Sequence, residues 1–243
     1  MTQPIDPRER LIVPLDVASH AEALALVDDL EDAVVFYKVG FELLLAGDHT
    51  RLIRELLSRD RKIFLDLKLF DIPATVAAAV RQVARAGVHF VTVHGNDAML
   101  RAAASAKGAT LKVLAVTALT SLDRGDLDDL GFDCDVEQLV LSRARRALAV
   151  GCDGVVSSGL EVRRIKHETE GRILVVTPGI RPVQNDDDQK RVVTPSQALR
   201  SGADYLVVGR PIREAGDPRA AAEAIQQEIA EAVQQEIARG LGR

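Results

Sequence analysis

The chain has 243 residues, of which 47% are hydrophobic and only 3% aromatic, and it contains no tryptophan. This length allows one large domain or two small ones, and the composition predicts a core of Ala, Val, Leu and Ile, as in helices packed around a parallel sheet. The formal net charge of -5 argues against nucleic acid as a partner, because phosphate binding needs a basic surface.

Two features of the sequence indicate the compartment. Cys134 and Cys152 lack metal-ligand spacing, which predicts reduced cytosolic thiols without a redox role. The segment from Met1 to Arg10 is polar, and no apolar run reaches the ~20 residues that span a bilayer. We therefore expect a soluble, cytoplasmic protein with neither a signal peptide nor a membrane helix.

Eight apolar, β-branched runs alternate with helical patterns along the chain. The predicted strands occupy residues 11–16, 33–39, 62–68, 88–94, 111–117, 153–158, 172–177 and 203–209. Capping residues mark several helix starts between them. Ser19 and Glu22 have capping-box spacing, as do Thr194 and Gln197, where Pro195 stands at the first helical position, and Asp217 precedes Pro218. No linker rich in Pro, Gly or Ser separates these units, which favours a single domain over residues 1–243.

Three helix-to-strand junctions repeat one pattern, in which Gly87, Gly151 and Gly202 stand where a helix must end before an apolar run. Eight such βα units predict an α/β fold, a single (β/α)8 TIM barrel, whose usual size is about 250 residues. The alternative is an open doubly wound sheet, but no G-x-G-x-x-G follows the first strand. The final segment, residues 218–239, is then the eighth outer helix.

Charged residues collect at the carboxyl ends of the first three predicted strands, where TIM barrels place their chemistry. Asp16 ends the first strand, and Lys38 lies near the end of the second. Asp66 and Lys68 close the third, and their spacing of two places both side chains on one face of an extended strand. One such pair is more often a simple salt bridge, but four charges on three neighbouring strands predict a charged site at one mouth.

The later strands end in residues suited to a phosphorylated ligand. Thr177-Pro178-Gly179-Ile180-Arg181 follows the seventh strand and Gly209-Arg210 follows the eighth, and the loops at these positions often hold phosphate in TIM barrels. Arg210 supplies a planar donor fork for phosphate oxygens, and Gln189 adds a neutral donor. Strands four to six are followed by His94, by Thr117 with Thr120, and by Ser157. For His94 and Ser157, a cap or turn role is as common as a functional one.

Taken together, these motifs resemble those of the orotidine 5′-phosphate decarboxylase family. The resemblance runs from about Leu11 to Arg213 and rests on D-x-K-x-x-D-I-P at 66–73, Thr-Pro-Gly-Ile-Arg at 177–181 and Val-Gly-Arg-Pro at 208–211. It implies a TIM barrel that decarboxylates orotidine 5′-phosphate to uridine 5′-phosphate and CO2 in pyrimidine biosynthesis. It also implies a homodimer that uses no metal or organic cofactor.

At the reacting end, the resemblance places Asp66 and Lys68 beside C6 of the pyrimidine. It places Asp16 and Lys38 on the ribose hydroxyls, with Lys38 also in the catalytic array. Loss of CO2 leaves a poorly delocalised carbanion, so the site must stabilise new negative charge. Lys68 would do this as an ammonium, a form that flanking carboxylates favour, and would then deliver the proton. Asp66 would lie near the substrate carboxylate and disfavour the bound ground state.

The resemblance assigns the other contacts to the dimer interface and the phosphate end. Asp71, as a further catalytic residue, would reach the neighbouring subunit's site together with Ile72 and Thr75. A phosphate grip remote from C6 would drive loop closure and so contribute to the transition state. The pyrimidine would be contacted by Thr120, and the phosphate by Arg181, Gln189, Gly209 and Arg210.

The chain departs from the common family pattern at three places. Leu69-Phe70 replaces a frequent Phe-His pair, and Ala74 stands where Asn is common. We expect neither change to affect the chemistry. Asp188 stands where Gly often precedes the phosphate-loop glutamine, which leaves Gln184 and Gln189 as two candidates for that contact.

Two other functions are compatible with these residues. A barrel of the 3-keto-L-gulonate 6-phosphate decarboxylase or hexulose-phosphate synthase type shares the D-x-K-x-x-D strand, uses Mg2+ and needs a further acidic ligand, for which Glu42 is the nearby candidate. A barrel that binds nucleotides without turnover is the other, although the complete set of Asp66, Lys68 and Asp71 argues against it.

Overall fold

Eight parallel strands close into a barrel in sequence order, in a computed structural model that describes residues 5–181 and 193–238. The strands are β1 (Leu11–Pro14), β2 (Phe36–Val39), β3 (Lys62–Leu69), β4 (Phe90–Val93), β5 (Lys112–Val116), β6 (Gly154–Val156), β7 (Leu174–Thr177) and β8 (Tyr205–Val207). Each predicted range overlaps one observed strand, and β8 pairs with β1 to close the sheet. The prediction of a (β/α)8 TIM barrel is confirmed.

Helices follow every strand and cover the outside of the barrel. They are α1 (His20–Leu30), α2 (Phe41–Leu45), α3 (His49–Ser58), α4 (Pro73–Arg85), α5 (Asp97–Ala106), α6 (Arg124–Asp129), α7 (Val136–Ala149), α8 (Val162–Glu168), α9 (Pro195–Arg200), α10 (Arg210–Arg213) and α11 (Pro218–Ala238). A 3-10 helix, Pro7–Glu9, precedes β1. The final segment is the predicted outer helix, because α11 packs against α9, α1 and α10.

The observed strands are shorter than most of the predicted ones. Val34 and Val88, for example, precede the paired residues of β2 and β4, yet both are buried. Such residues pack under the helices without joining the hydrogen-bonded ladder, so an apolar run overestimates the length of its strand.

The predicted helix starts and stops are confirmed at atomic detail. The Ser19 hydroxyl accepts the Glu22 N–H at 3.2 Å, Thr194 and Gln197 form a capping box with Pro195 at the first helical position, and Asp217 accepts the Ala220 N–H at 2.9 Å. The junction glycines adopt the left-handed backbone that a helix stop requires, with φ of 78° at Gly87, 90° at Gly151 and 101° at Gly202.

The interior of the barrel is filled by a layer that the composition did not predict. The expected Ala, Val, Leu and Ile core is observed between the strands and the outer helices. Inside the barrel, however, Phe36, Phe64, Phe90 and Tyr205 form an aromatic cluster with smaller apolar residues. The Phe90 ring lies 4.9 Å from that of Phe36 and 5.0 Å from that of Tyr205. A few aromatic side chains therefore close the barrel below its carboxyl-terminal mouth.

The amino-terminal end of the barrel is fixed by two similar ionic contacts, each two residues after a junction glycine. Asp204 accepts the Val175 N–H at 2.7 Å and the Lys166 ammonium at 2.5 Å. Asp153 likewise accepts a backbone N–H from β5 at 2.8 Å and the Lys107 ammonium at 2.6 Å. The Lys166 side chain is 8% exposed and that of Lys107 is 21% exposed. The repeated junctions thus connect neighbouring strands through side chains as well as backbone.

Residues 5–181 and 193–238 include no helix long and apolar enough to cross a membrane. Cys134 and Cys152 are free thiols. Burial raises the pKa of the Cys152 thiol to about 12, so it is protonated and unreactive at neutral pH.

We expect Asp204→Ala to lower the free energy of unfolding more than Asp153→Ala does. Each change removes an acceptor for one backbone N–H, but Asp204→Ala also leaves the more deeply buried lysine without its carboxylate. The loss should be on the order of 3 kcal/mol for Asp204→Ala and about 1–2 kcal/mol for Asp153→Ala. Urea unfolding of both variants measures the difference, and equal losses would contradict the argument from burial.

Candidate active site

The four charged residues predicted at the first three strand ends lie together at the carboxyl-terminal mouth of the barrel. Lys38 Nζ is 3.0 Å from Asp16 Oδ1 and 3.7 Å from Asp66 Oδ2. Lys68 Nζ is 3.0 Å from the same Oδ2. The prediction that these charges converge is confirmed, and they form a continuous array in which carboxylates and ammonium groups alternate.

A two-residue spacing from the aromatic layer explains why these side chains point inward. On β2, β3 and β4, a phenylalanine of the aromatic cluster is followed two residues later by a polar side chain, which leaves the same face of the strand. The three pairs are Phe36 with Lys38, Phe64 with Asp66, and Phe90 with Thr92. The aromatic layer therefore forms the floor of the site, and the polar residues stand directly above it.

The geometry at Lys68 differs from the regular strand that the sequence predicted. Between the pairs Leu65–Val91 and Leu69–Val93, β3 has three residues where β4 has one, so the strand bulges. Lys68 has φ of 45°, in the left-handed region that non-glycine residues disfavour. Simple alternation along an extended strand was thus the wrong reason for the proximity of Asp66 and Lys68. The bulge turns the Lys68 side chain back toward the carboxylate, as bulges beside active sites often do.

Asp66 is the central anion of the array. Its side chain is 15% exposed, and this burial on its own raises the pKa of the carboxyl. Lys38 and Lys68, together with hydrogen bonds from Lys68 and from the Thr92 hydroxyl, outweigh the burial and lower the pKa of Asp66 below its usual value. Asp66 is therefore ionised at neutral pH.

The Lys68 ammonium lies between the array and open space above it. Its side chain is 33% exposed, and its Nζ is 5.7 Å from the centre of the Phe41 ring. Room for the neighbouring charges depends on Gly40, since a Cβ there would lie 3.3 Å from both Asp16 Oδ1 and Lys38 Nζ. The ammonium can thus meet a ligand above the floor while it keeps its contact with Asp66.

Asp71 is not part of this array within one chain. The segment that contains Asp71, Ile72 and Thr75 is exposed, and Asp71 Oδ1 accepts the Ile72 N–H at 2.6 Å. In the described part of the chain, no ion pair joins Asp71 to a lysine or arginine. The structure of a single chain therefore leaves its predicted catalytic role untested.

The predicted phosphate end is only partly described. Arg181 is 6% exposed, and its backbone N–H bonds to the Val193 carbonyl at 3.0 Å. Gly209 precedes α10, which Arg210 begins, and a Cβ on Gly209 would lie 3.0 Å from Pro14. A side chain at position 209 would therefore crowd Pro14 of β1. Thr120 lies in the loop after β5, while the candidates Gln184, Asp188 and Gln189 lie outside the described residues.

Three other polar strand ends have structural partners. The Thr117 hydroxyl donates to the Val156 carbonyl at 2.8 Å, and Ser157 donates to Glu161 Oε2 at 3.5 Å. The His94 ring contacts the Phe70 ring, with centres 5.6 Å apart. Burial, with the nearby cations Arg143 and Lys68, lowers the pKa of His94, so the ring is neutral at pH 7.

Sequence reasoning missed two residues that contact the array. Thr92 bonds both Asp66 and the Lys68 backbone, and the repeated Phe-x-polar spacing on β2, β3 and β4 would have identified it. Arg213 donates to the backbone carbonyl of Asp16, and no local sequence signal indicates that contact, because α10 and β1 are far apart in the chain.

Glu42, the acidic residue considered as a metal ligand, is exposed on α2. Within residues 5–181 and 193–238, no group of three or more His, Cys, Asp or Glu side chains is placed to hold a metal ion.

A closed (β/α)8 barrel with charged side chains gathered at the carboxyl-terminal ends of its strands is typical of TIM-barrel enzymes, which place their active sites there. The model of one such family, the orotidine 5′-phosphate decarboxylase / HUMPS family, matches residues 9–225. The chain belongs to that family, and the resemblance found in its motifs is confirmed.

Individual relatives agree with this membership. The orotidine 5′-phosphate decarboxylase of Methylococcus capsulatus is 61% identical over 229 residues, which cover 93% of this chain and 94% of the relative. That of Nitrobacter winogradskyi is 49% identical over 225 residues, which cover 92% of this chain and 93% of the relative. The crystal structure of orotidine 5′-phosphate decarboxylase from Lactobacillus acidophilus matches with a TM-score of 0.81 at 38% identity and covers 91% of this chain and 99% of that one.

Proposed function

We propose that the chain is a carboxy-lyase that converts orotidine 5′-phosphate to uridine 5′-phosphate and CO2 in pyrimidine biosynthesis. The observation that carries this proposal is the Asp66–Lys68 contact of 3.0 Å within a charged array at the barrel mouth. The family match and the names of relatives up to 61% identical support the same activity.

Lys68 supplies the chemical step in this proposal. The bond between C6 and the substrate carboxylate breaks, CO2 leaves, and the electron pair stays on C6. The ammonium of Lys68 stabilises that carbanion by direct charge interaction and then transfers a proton from Nζ to C6. These residues need no metal or organic cofactor for this step.

Asp66 and Lys38 hold the proton donor in place. The ionised Asp66 faces the substrate carboxylate, so the two like charges disfavour the bound ground state relative to the products. Lys38 neutralises part of the charge on Asp66 from the other side, at 3.7 Å. Asp16, bonded to Lys38 at 3.0 Å, presents a carboxylate for the ribose hydroxyls together with that lysine.

The far end of the substrate is held in this proposal by Arg181 and Arg210, with Gly209 and Gln189 beside them and Thr120 at the pyrimidine. A guanidinium fork fits two phosphate oxygens at once. The phosphate does not react. The binding energy of the phosphate contact therefore contributes to catalysis only if that contact holds C6 of the substrate next to Lys68.

We further propose that two copies of the chain form the working enzyme. Large apolar side chains around the mouth are exposed in a single chain, namely Phe41 (50%), Leu45 (83%), Phe70 (65%) and Ile72 (64%). Such a group is typical of a surface that a partner covers. A second copy would bury it and bring Asp71, Ile72 and Thr75 to the neighbouring array, where Asp71 adds a further carboxylate beside Lys68. The cytoplasm is the compartment that suits two free thiols and this pathway.

Lys68→Ala should lower the rate of decarboxylation by on the order of a thousandfold or more, because the variant lacks both the charge beside C6 and the proton donor. The loss of substrate absorbance measures this with and without EDTA. The matched control is Lys62→Ala, which removes a lysine of the same strand that pairs with Glu9 at 2.6 Å. No turnover of orotidine 5′-phosphate by the wild type would favour the Mg2+-dependent sugar-phosphate function, turnover that EDTA abolishes would contradict a metal-free step, and wild-type turnover in Lys68→Ala would exclude the proposed step.

Mixing Lys68→Ala with Asp71→Ala should restore activity that neither variant has alone. If Asp71 acts across the interface, each hybrid dimer contains one site with both an intact Lys68 and an intact Asp71. Random exchange of subunits then gives about a quarter of the wild-type activity. If Asp71 acts within its own chain, no site in the hybrid is complete, and a mixture that stays inactive after verified exchange would refute the shared site.

Arg210→Ala should lower kcat/KM for orotidine 5′-phosphate by roughly ten- to a hundredfold, since charge-assisted hydrogen bonds to the phosphate are lost. Orotidine, which lacks the phosphate, is the matched control substrate. Its slow turnover should be the same in the variant and the wild type. An equal loss on both substrates would mean that Arg210 acts elsewhere than at the phosphate.

A further inference from the structure

Thr92 is the one residue of β4 that lies opposite the bulge in β3. Its side chain is fully buried, and it has two partners, both in the charged array. The Thr92 hydroxyl donates to Asp66 Oδ1 at 2.9 Å. The same oxygen accepts the backbone N–H of Lys68 at 2.9 Å.

The direction of these hydrogen bonds is fixed by chemistry. An ionised carboxylate only accepts, so the single hydroxyl proton of Thr92 must point to Asp66. A backbone N–H only donates, so the Lys68 amide must use a lone pair of the same oxygen. One hydroxyl therefore joins the side chain of one proposed catalytic residue to the backbone of the other.

This contact bears directly on the geometry of the proton donor. The bulge removes Lys68 from the regular ladder with β4, and its backbone has φ of 45°. An amide without a partner in this partly buried position would be costly, and the Thr92 oxygen supplies the acceptor that the ladder does not. With Oδ1 of Asp66 held by Thr92, Oδ2 is the atom that meets both ammonium groups, at 3.0 Å from Lys68 and 3.7 Å from Lys38.

We propose that Thr92 is a positioning residue for decarboxylation, which holds the left-handed backbone of Lys68 and the orientation of Asp66 so that the ammonium stands at the reacting carbon. Thr92 lies below the array and acts through its two partners. The effect of Thr92 on turnover rests on the proposed function, but its effect on the geometry of Lys68 and Asp66 can be measured separately.

The test compares Thr92→Val with Thr92→Ser. Valine keeps the shape of threonine and removes the hydroxyl, so kcat should fall by about ten- to a hundredfold, while KM changes by less than about threefold because the substrate contacts are intact. Serine keeps the hydroxyl and loses only the stiffness of a β-branched side chain, so kcat should stay within about threefold of the wild type. Thr169→Val is the matched control, because Thr169 is equally buried and its hydroxyl donates only to the Ile165 carbonyl, at 2.7 Å, at the end of α8.

Crystal structures of the two Thr92 variants make the test independent of activity. In Thr92→Val, the Lys68 backbone should leave the left-handed region or its Nζ should move out of hydrogen-bond distance of Asp66 Oδ2, and Thr92→Ser should keep both features. An unchanged Lys68 in Thr92→Val would overturn the proposal, as would equal losses of kcat in Thr92→Val and Thr169→Val. A wild type without decarboxylase activity would contradict the proposed function, and the structures would still decide the role of Thr92.

Discussion

The site depends on one carboxylate that is held ionised between two lysines above an apolar floor. Burial alone would raise the pKa of Asp66, but Lys38, Lys68 and the Thr92 hydroxyl together lower it below its usual value. Lys38 and Lys68 in turn each gain a nearby negative charge from Asp66, which stabilises an ammonium group in a partly buried position. The array is therefore a mutually dependent set, and the chemistry proposed for Lys68 follows from the way in which Asp66 holds it.

Rigid elements support this set from below. The aromatic layer of Phe36, Phe64 and Phe90 closes the barrel under the charges. The backbone that carries each polar residue two positions later is therefore held in place. At the other end of the barrel, Asp153 and Asp204 connect neighbouring strands through backbone and lysine contacts. A site built on strands fixed at both ends can hold charges to within a fraction of an ångström, as electrostatic catalysis requires. The bulge at Lys68 is the local exception, and it lies at the group proposed to donate the proton.

Much of the fold follows from local patterns, because capping residues, junction glycines and eight apolar runs act over short distances in the chain. The convergence of Asp16, Lys38, Asp66 and Lys68 was predictable as well, since parallel strands in a barrel bring their carboxyl ends to one mouth. The bulge was not predictable, because it depends on the pairing of β3 with β4 rather than on either segment. Thr92 was overlooked although it shares the Phe-x-polar spacing of Lys38 and Asp66. Arg213 could not be found in this way, because it contacts Asp16 across almost the whole length of the chain. In the proposed dimer, the position of Asp71 relative to the array depends on the second copy, which the sequence of one chain cannot place.

The most direct test of the account is the ionisation of Asp66 itself, observed by carbon NMR of protein labelled in its aspartate carboxyl groups, with the signal assigned by Asp66→Asn. We predict that the Asp66 signal keeps the chemical shift of an ionised carboxylate as the pH falls to about 3.9, where an ordinary aspartate is half protonated. A signal that titrates at or above that pH would contradict it, because the two lysines and Thr92 would then fail to outweigh the burial of the carboxyl.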